Sequence, residues 1–331
     1  MKVRMRIMIR SRNWPLRMPA ASFSKSRLPI LNKRLLNLIR QILLACLLAC
    51  LFGWTAMTGA SQTRVSIDGP SGVQVGRLVT VDGGRAAGPT FLLVHGSWAH
   101  FDMELIRTLQ DLLQAAGFDS LAINLHLGVD DRQGFLGCDT PVTARFDSAP
   151  KEIERWLRWL SHRADRIVLF GHSRGGLQVA SLAPAVLHGL SVEAVVMAAP
   201  MMETLDERGA RYAARFGAPL ATVLTRAAAA GDGFLQAGLV NCSAVQVRGT
   251  SFQSYYGADV SLNVMDYLAA LPKPGLMVYG SEDPGFAGFT SAQERLMRLP
   301  HIEVQTIDGA DHFFRDLYAD DLVEQVLQWL P

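Results

Sequence analysis

The first 60 residues contain no acidic side chain, and only two of the four cysteines lie beyond them. Eleven lysines and arginines fall in residues 1–60, so the formal net charge of +2 hides a body, 61–331, with 21 basic against 30 acidic residues, or −9. A body of that sign lacks the basic face that a nucleic-acid binder needs. The cysteine count and spacing give no metal-site pattern. The acids Asp130, Asp131 and Asp139 near Cys138 have no regular ligand spacing either, and 126–148 reads as a solvated loop. No internal repeat or long low-complexity segment is present. The uncharged apolar stretch Ile42–Trp54 has about 13 residues, short of the roughly 20 a spanning helix requires.

What stands at the N-terminus has the order of an export signal. Basic residues run from Lys2 to Arg40, with Met18 as an alternative start. The apolar stretch follows, and then the small residues Thr55, Ala56, Thr58, Gly59 and Ala60. Thr58 and Ala60 suit cleavage before Ser61. Residues 1–60 are therefore expected to be a signal peptide directing the chain to the periplasm or the exterior. The alternatives are an uncleaved membrane anchor over 42–60, or a lipid on Cys46 or Cys50. In an oxidising compartment Cys138 and Cys242 either pair or remain two small buried hydrophobes.

Almost half of the 331 residues are apolar, enough for one sizeable core. Arg64–Ile67 and Val75–Val81 read as leading strands. Beyond them strand and helix alternate. The strands are Thr90–Val94, Ser120–Leu125, Arg166–Phe170, Glu193–Met197, Gly275–Tyr279 and Glu303–Ile307. The helices are 103–116, 150–163, 177–187, 291–299 and 317–330. Such alternation predicts an α/β fold, a mainly parallel sheet with helices on both faces. Residues 201–272 interrupt it. That Ala- and Arg-rich segment is too long for an ordinary connection and reads as a helical cap over the sheet's carboxyl edge. Phe234, Phe252, Tyr255 and Tyr256 there either line an acyl pocket or pack the cap.

Gly171-His172-Ser173-Arg174-Gly175 fits G-x-S-x-G between a buried strand and a helix, the context this motif requires. A serine hydroxyl is a weak nucleophile until a base is brought to it. A tight strand-to-helix turn lifts it clear of the sheet, and glycine at 171 and 175 removes the collisions that such a turn creates. His95-Gly96-Ser97-Trp98 follows the first strand of the alternating series. With this pair of motifs the chain, over roughly 90–331, resembles the α/β-hydrolase superfamily.

The resemblance implies that the backbone N–H groups of Ser97 and Arg174 form an oxyanion hole. It places the catalytic histidine at His312, after the last strand. It places the orienting carboxylate at Asp283, three residues after Gly280, with Glu282 and Asp311 as competitors. His95 is expected to be structural, and Trp98 to wall the pocket or join the core. His172 lies inside the turn and is not placed to act as base. His162 and His188 fall at helix ends. The implied activity is that of a serine hydrolase cleaving an ester, thioester or related acyl bond through an acyl-enzyme on Ser173, without a cofactor. Its substrate would be a small-molecule or lipid-like acyl compound. An acyltransferase on the same scaffold is the alternative. A non-catalytic binding protein is disfavoured by the intact nucleophile, base and acid.

Overall fold

Apolar runs of four to seven residues, closed by turn residues, become the central strands of one sheet. The computed structural model describes residues 61–81 and 86–331, so the signal or anchor expected of 1–60 lies outside the described residues. β1 (Ser61–Gly69) and β2 (Gly72–Thr80) form an antiparallel hairpin. There follow β3 (Thr90–Val94), α1 (Glu104–Ala115), β4 (Ser120–Ile123), α2 (Ala149–Ser161) and β5 (Ile167–His172). Next come α3 (Arg174–Ala180), α4 (Pro184–Gly189) and β6 (Val192–Ala198). One helix was expected over 177–187. Instead α3 starts directly after Ser173, and the chain breaks before Pro184, whose ring suits a first helical turn but not an interior one.

The insertion opens with β7 (Met202–Glu203), α5 (Leu205–Phe216) and α6 (Leu220–Ala230). It continues through a hairpin of β8 (Phe234–Leu239) and β9 (Cys242–Arg248), α7 (Gly249–Tyr256), β10 (Leu262–Asn263) and α8 (Met265–Leu268). The chain ends with β11 (Gly275–Gly280), α9 (Phe286–Leu296), β12 (Ile302–Ile307) and α10 (Tyr318–Trp329). The sheet order is β1-β2-β4-β3-β5-β6-β11-β12, parallel from β4 to β12.

Every residue of β3, β4, β5 and β11 is buried, which requires a helical layer on each face. The amphipathic stripes supply it. On α2 the residues Ile153, Trp156, Leu157 and Leu160 are all essentially inaccessible, each burial contributing about 1.5–3 kcal/mol. On α1 the stripe is Leu105, Ile106, Leu109 and Leu113, and it includes a polar residue, Gln110. Gln110 is tolerated because its amide donates to the Arg77 and Ser120 carbonyls while its oxygen accepts from Arg77 Nε at 2.7 Å.

The insertion is closed at its root by β7 pairing with β10, Glu203 opposite Leu262. Arg208, 2% exposed, ties α5 to the loop after α7 through the Gly257 and Val260 carbonyls, both at 2.7 Å. The β8–β9 hairpin is an element that the Ala- and Arg-rich sequence did not announce. It captures the loop at 126–148. Val142 N–H donates to Gln246 O at 2.8 Å, Arg248 N–H donates back to Val142 O at 3.0 Å, and Cys138 is bonded to Cys242. Part of this loop is therefore docked, with Leu136, Val142 and Phe146 buried, while Asp130, Asp131 and Asp139 stay exposed to solvent.

The disulfide spans 104 residues and joins the core side of the chain to the insertion. On the loop-entropy account, closing a loop of that length stabilises the folded state by about 4–5 kcal/mol. Cys138→Ser/Cys242→Ser, or reduction of the wild type, is expected to lower the urea midpoint substantially. An unchanged midpoint would show that the bridge is not formed or not stabilising.

Candidate active site

Ser173 stands between β5 and α3 with φ 57° and ψ −119°, a conformation that costs a non-glycine residue about 1–3 kcal/mol. Neighbouring strands hold it there. Ser173 N–H donates to Ala198 O at 2.8 Å, and Met201 N–H donates to Ser173 O at 3.3 Å. The flanking glycines are a matter of space. A Cβ on Gly175 would stand 2.5 Å from the carbonyl oxygens of Val94 and His95, and one on Gly171 would collide with the Gly175 carbonyl. Without them α3 could not approach β3 and β5 closely enough to present the serine.

Two other strand ends deliver partners. After β12, His312 Nε2 lies 3.0 Å from Ser173 Oγ. After β11, Asp283 Oδ2 accepts from His312 Nδ1 at 2.6 Å, while its Oδ1 accepts from Gly285 N–H at 2.6 Å. The Asp283 side chain is 3% exposed and that of His312 30%, so the carboxylate sits behind the imidazole, away from water. The competing acids are elsewhere. Glu282 is exposed, and Asp311 accepts from Phe313 N–H and pairs with Arg315.

The backbone N–H groups of Ser97 and Arg174 have no acceptor among the described residues. The Arg174 amide is the first of a helix, one of those that a helix cannot satisfy internally. The two residues also meet through their side chains: Arg174 Nε donates to Ser97 Oγ at 2.8 Å. His95 props this loop from behind. Its Nε2 accepts from Leu125 N–H at 3.1 Å and from Arg132 at 3.0 Å, so Nδ1 carries the proton and donates to Gly96 O at 2.7 Å. Burial, reinforced by the Arg132 charge, pushes its pKa down to about 3 and keeps it neutral.

Trp98 does not wall the cavity. Its own positive φ of 53° turns the indole into the core, where Nε1–H donates to Tyr255 OH at 3.2 Å. Of the four aromatics noted in the insertion only Tyr256 reaches the cavity. Phe252 and Tyr255 are buried behind it, and Phe234 is half exposed. The cavity, about 1120 Å³, lies between the strand ends bearing Ser173 and His312 and the insertion's Met202, Glu203, Arg208 and Tyr256.

Residues 91–325 match the alpha/beta hydrolase family. The chain belongs to that family. No curated protein matches it in sequence. Its fold is similar to Est1E from Butyrivibrio proteoclasticus, with a TM-score of 0.59 at 17% identity, covering 80% of this chain and 96% of the other; the structure of Est1E with ferulic acid bound aligns equally well. The Pyrococcus furiosus esterase Pf2001 aligns with a TM-score of 0.57 at 17% identity, over 82% and 92% of the two chains. GrgF of Penicillium sp. sh18 gives 0.56 at 17% identity, over 82% and 98%. At this identity the likeness concerns the fold.

In this alpha/beta hydrolase His172 has a place that its position in the motif did not reveal. Fully buried, it donates from Nε2 to the His312 carbonyl at 2.8 Å, and its ring lies 5.1 Å from that of His312. Burial, together with His312 alongside, lowers its pKa to about 4. A histidine that stays neutral when folded but titrates near 6.5 when unfolded contributes stability that is complete above pH 6.5 and is lost as pH falls toward the folded value. His95 adds to this in the same window. Stability is thus expected to decline as pH falls from about 6.5 to about 4, with a slope of up to about 1.4 kcal/mol per pH unit for each such histidine. His172→Gln should make the decline shallower in urea titrations at several pH values. An identical slope in wild type and variant would mean that His172 titrates normally in the fold.

Proposed function

We propose that this chain is a serine hydrolase that cleaves a carboxylic ester, thioester or related acyl bond, with Ser173 as nucleophile, His312 as base and Asp283 as orienting carboxylate. The observation that carries the reading is the continuous hydrogen-bonded series from Ser173 Oγ through His312 to the buried Asp283, facing a cavity large enough for a small ligand. In the first half-reaction His312 Nε2 takes the Ser173 proton as Oγ bonds to the acyl carbon. The carbonyl oxygen becomes an anion, received by the free amides of Ser97 and Arg174. The tetrahedral species collapses, the C–O or C–S bond breaks, and the leaving group takes the proton from His312. Water then attacks the acyl-enzyme, gives its proton to His312, and Ser173 leaves with that proton restored. Asp283 holds the imidazole with Nδ1 protonated, so that Nε2 is free to accept.

Esterases among the structural relatives support the choice of an ester bond. Export is part of the same proposal, with the Cys138–Cys242 bond as its support in the folded body.

Labelling with a fluorophosphonate probe tests the mechanism. The wild type should label, Ser173→Ala should not, and His312→Ala should label far more slowly. Asp283→Asn should lower kcat on a short-chain ester by roughly 10³- to 10⁴-fold with the fold retained. Folded wild type that resists the probe would sink the proposal.

A further inference from the structure

Arg174 is nine-tenths buried, follows the nucleophile directly and lines the cavity. Its side chain is far less satisfied than its setting requires. Nε is engaged with Ser97 Oγ, and the guanidinium carbon lies 5.2 Å from the Phe146 ring centre and 5.4 Å from that of Tyr255. Nη1 is shielded from solvent without an acceptor, and Nη2 has none either among the described residues. Arg174 makes no ion pair among those residues.

The other two deeply buried arginines behave differently. Arg132 spends Nη1 on Gly134 O and Nη2 on His95, and Arg208 spends its Nη nitrogens on Gly257 O and Val260 O, with only its Nε lacking an acceptor. A buried cation with idle donors is strongly unfavourable unless something completes it. Stacking on Phe146 and Tyr255 holds the group in place but accepts none of its N–H bonds.

Two of the buried carboxylates on the cavity wall already have a setting of their own. Asp283 is bonded to His312. Glu203, also buried on the cavity wall, acts on Arg208, partly offsetting the lowering of its pKa by burial. Arg174 has no carboxylate within ion-pair distance among the described residues.

We propose that Arg174 is a specificity residue that binds a carboxylate carried by the substrate itself, so that the preferred substrates are half-esters or half-thioesters of dicarboxylic acids. This rests on the serine-hydrolase reading and narrows it. The guanidinium belongs to the residue next to Ser173 and is bonded to the oxyanion-loop residue Ser97, so the carboxylate sits within one side chain's reach of the scissile carbonyl. Nη2, neither bonded nor shielded from solvent, offers a charge-assisted donor that suits a carboxylate better than a neutral group.

The test compares monoethyl succinate, glutarate and adipate with their carboxamide isosteres, in which only the charge is removed. In wild type at least one half-ester should exceed its isostere by roughly tenfold or more in kcat/KM, the range of a hydrogen bond to a charged partner. Arg174→Met should abolish that ratio and Arg174→Lys should restore part of it. Using the ratio cancels any general loss from disturbing the oxyanion loop. A second measurement needs no turnover. Ser173→Ala protein, titrated calorimetrically with the best half-ester, should bind it at least roughly tenfold more tightly than the isostere. Equal handling of every pair by active wild type overturns the carboxylate site and leaves the hydrolase intact. Carboxylate-selective binding by Ser173→Ala protein, with no hydrolysis and no fluorophosphonate labelling of wild type, overturns the hydrolase reading and leaves the site.

Discussion

At Ser173 the backbone turns from strand to helix through a conformation that an L residue adopts only under constraint. The constraint is the close approach of α3 to β3 and β5, visible in the collisions that a Cβ on Gly171 or Gly175 would suffer. Because β5 is central in the sheet and buried on both faces, the strain is stored in the most rigid part of the fold. The hydrogen bonds to Ala198 and from Met201 pin it from the neighbouring strand end. The same turn fixes where everything else must arrive. His312 and Asp283 lie five and three residues beyond the ends of β12 and β11, so the parallel strands bring them to the same edge of the sheet as Ser173.

Two neutral histidines act as wedges around that turn. His95 fills the space behind the oxyanion loop, with both ring nitrogens used and Arg132 donating to one of them. His172 holds the carbonyl of His312, so the residue beside Ser173 also places the backbone of His312. Protonating either would put an unpaired positive charge in a fully buried site, the first beside Arg132 and the second beside His312. Burial and these neighbours act in the same direction, so both rings serve as uncharged scaffold.

Ser173, His312 and Asp283 were legible in the sequence because each sits within a few residues of a strand end, and strand ends can be read from short apolar runs. The parallel sheet was legible for the same reason. The supporting contacts were not, because their partners lie far apart in the chain: 37 residues for Arg132 and His95, 77 for Arg174 and Ser97, 140 for His172 and His312. Trp98 could be read either way, since its direction depends on a positive φ that no residue pattern announces. The β8–β9 hairpin escaped for a different reason. Its strand residues alternate only weakly, and what steadies β9 is the disulfide and the bridge from Val142, both non-local.

The segment from Asn124 to Ser148 links two parts of the molecule that the sheet does not join. Near its start, Asn124 Oδ1 accepts from Phe101 N–H, and Arg132 donates to His95 and to the Leu125 carbonyl, so this end braces the oxyanion loop. Further along, Cys138 and Val142 bind the insertion's hairpin, and Phe146 N–H donates to Ser254 Oγ on α7 while its ring faces the Arg174 guanidinium. A single connection therefore sets the position of the insertion, the backing of the oxyanion loop and one wall around Arg174. Shifting the insertion without disturbing the other two would require breaking the disulfide or the Val142 bridge. The cavity's shape and the geometry of the loop at His95–Trp98 are consequently coupled through one connection, which the Cys138–Cys242 bond closes.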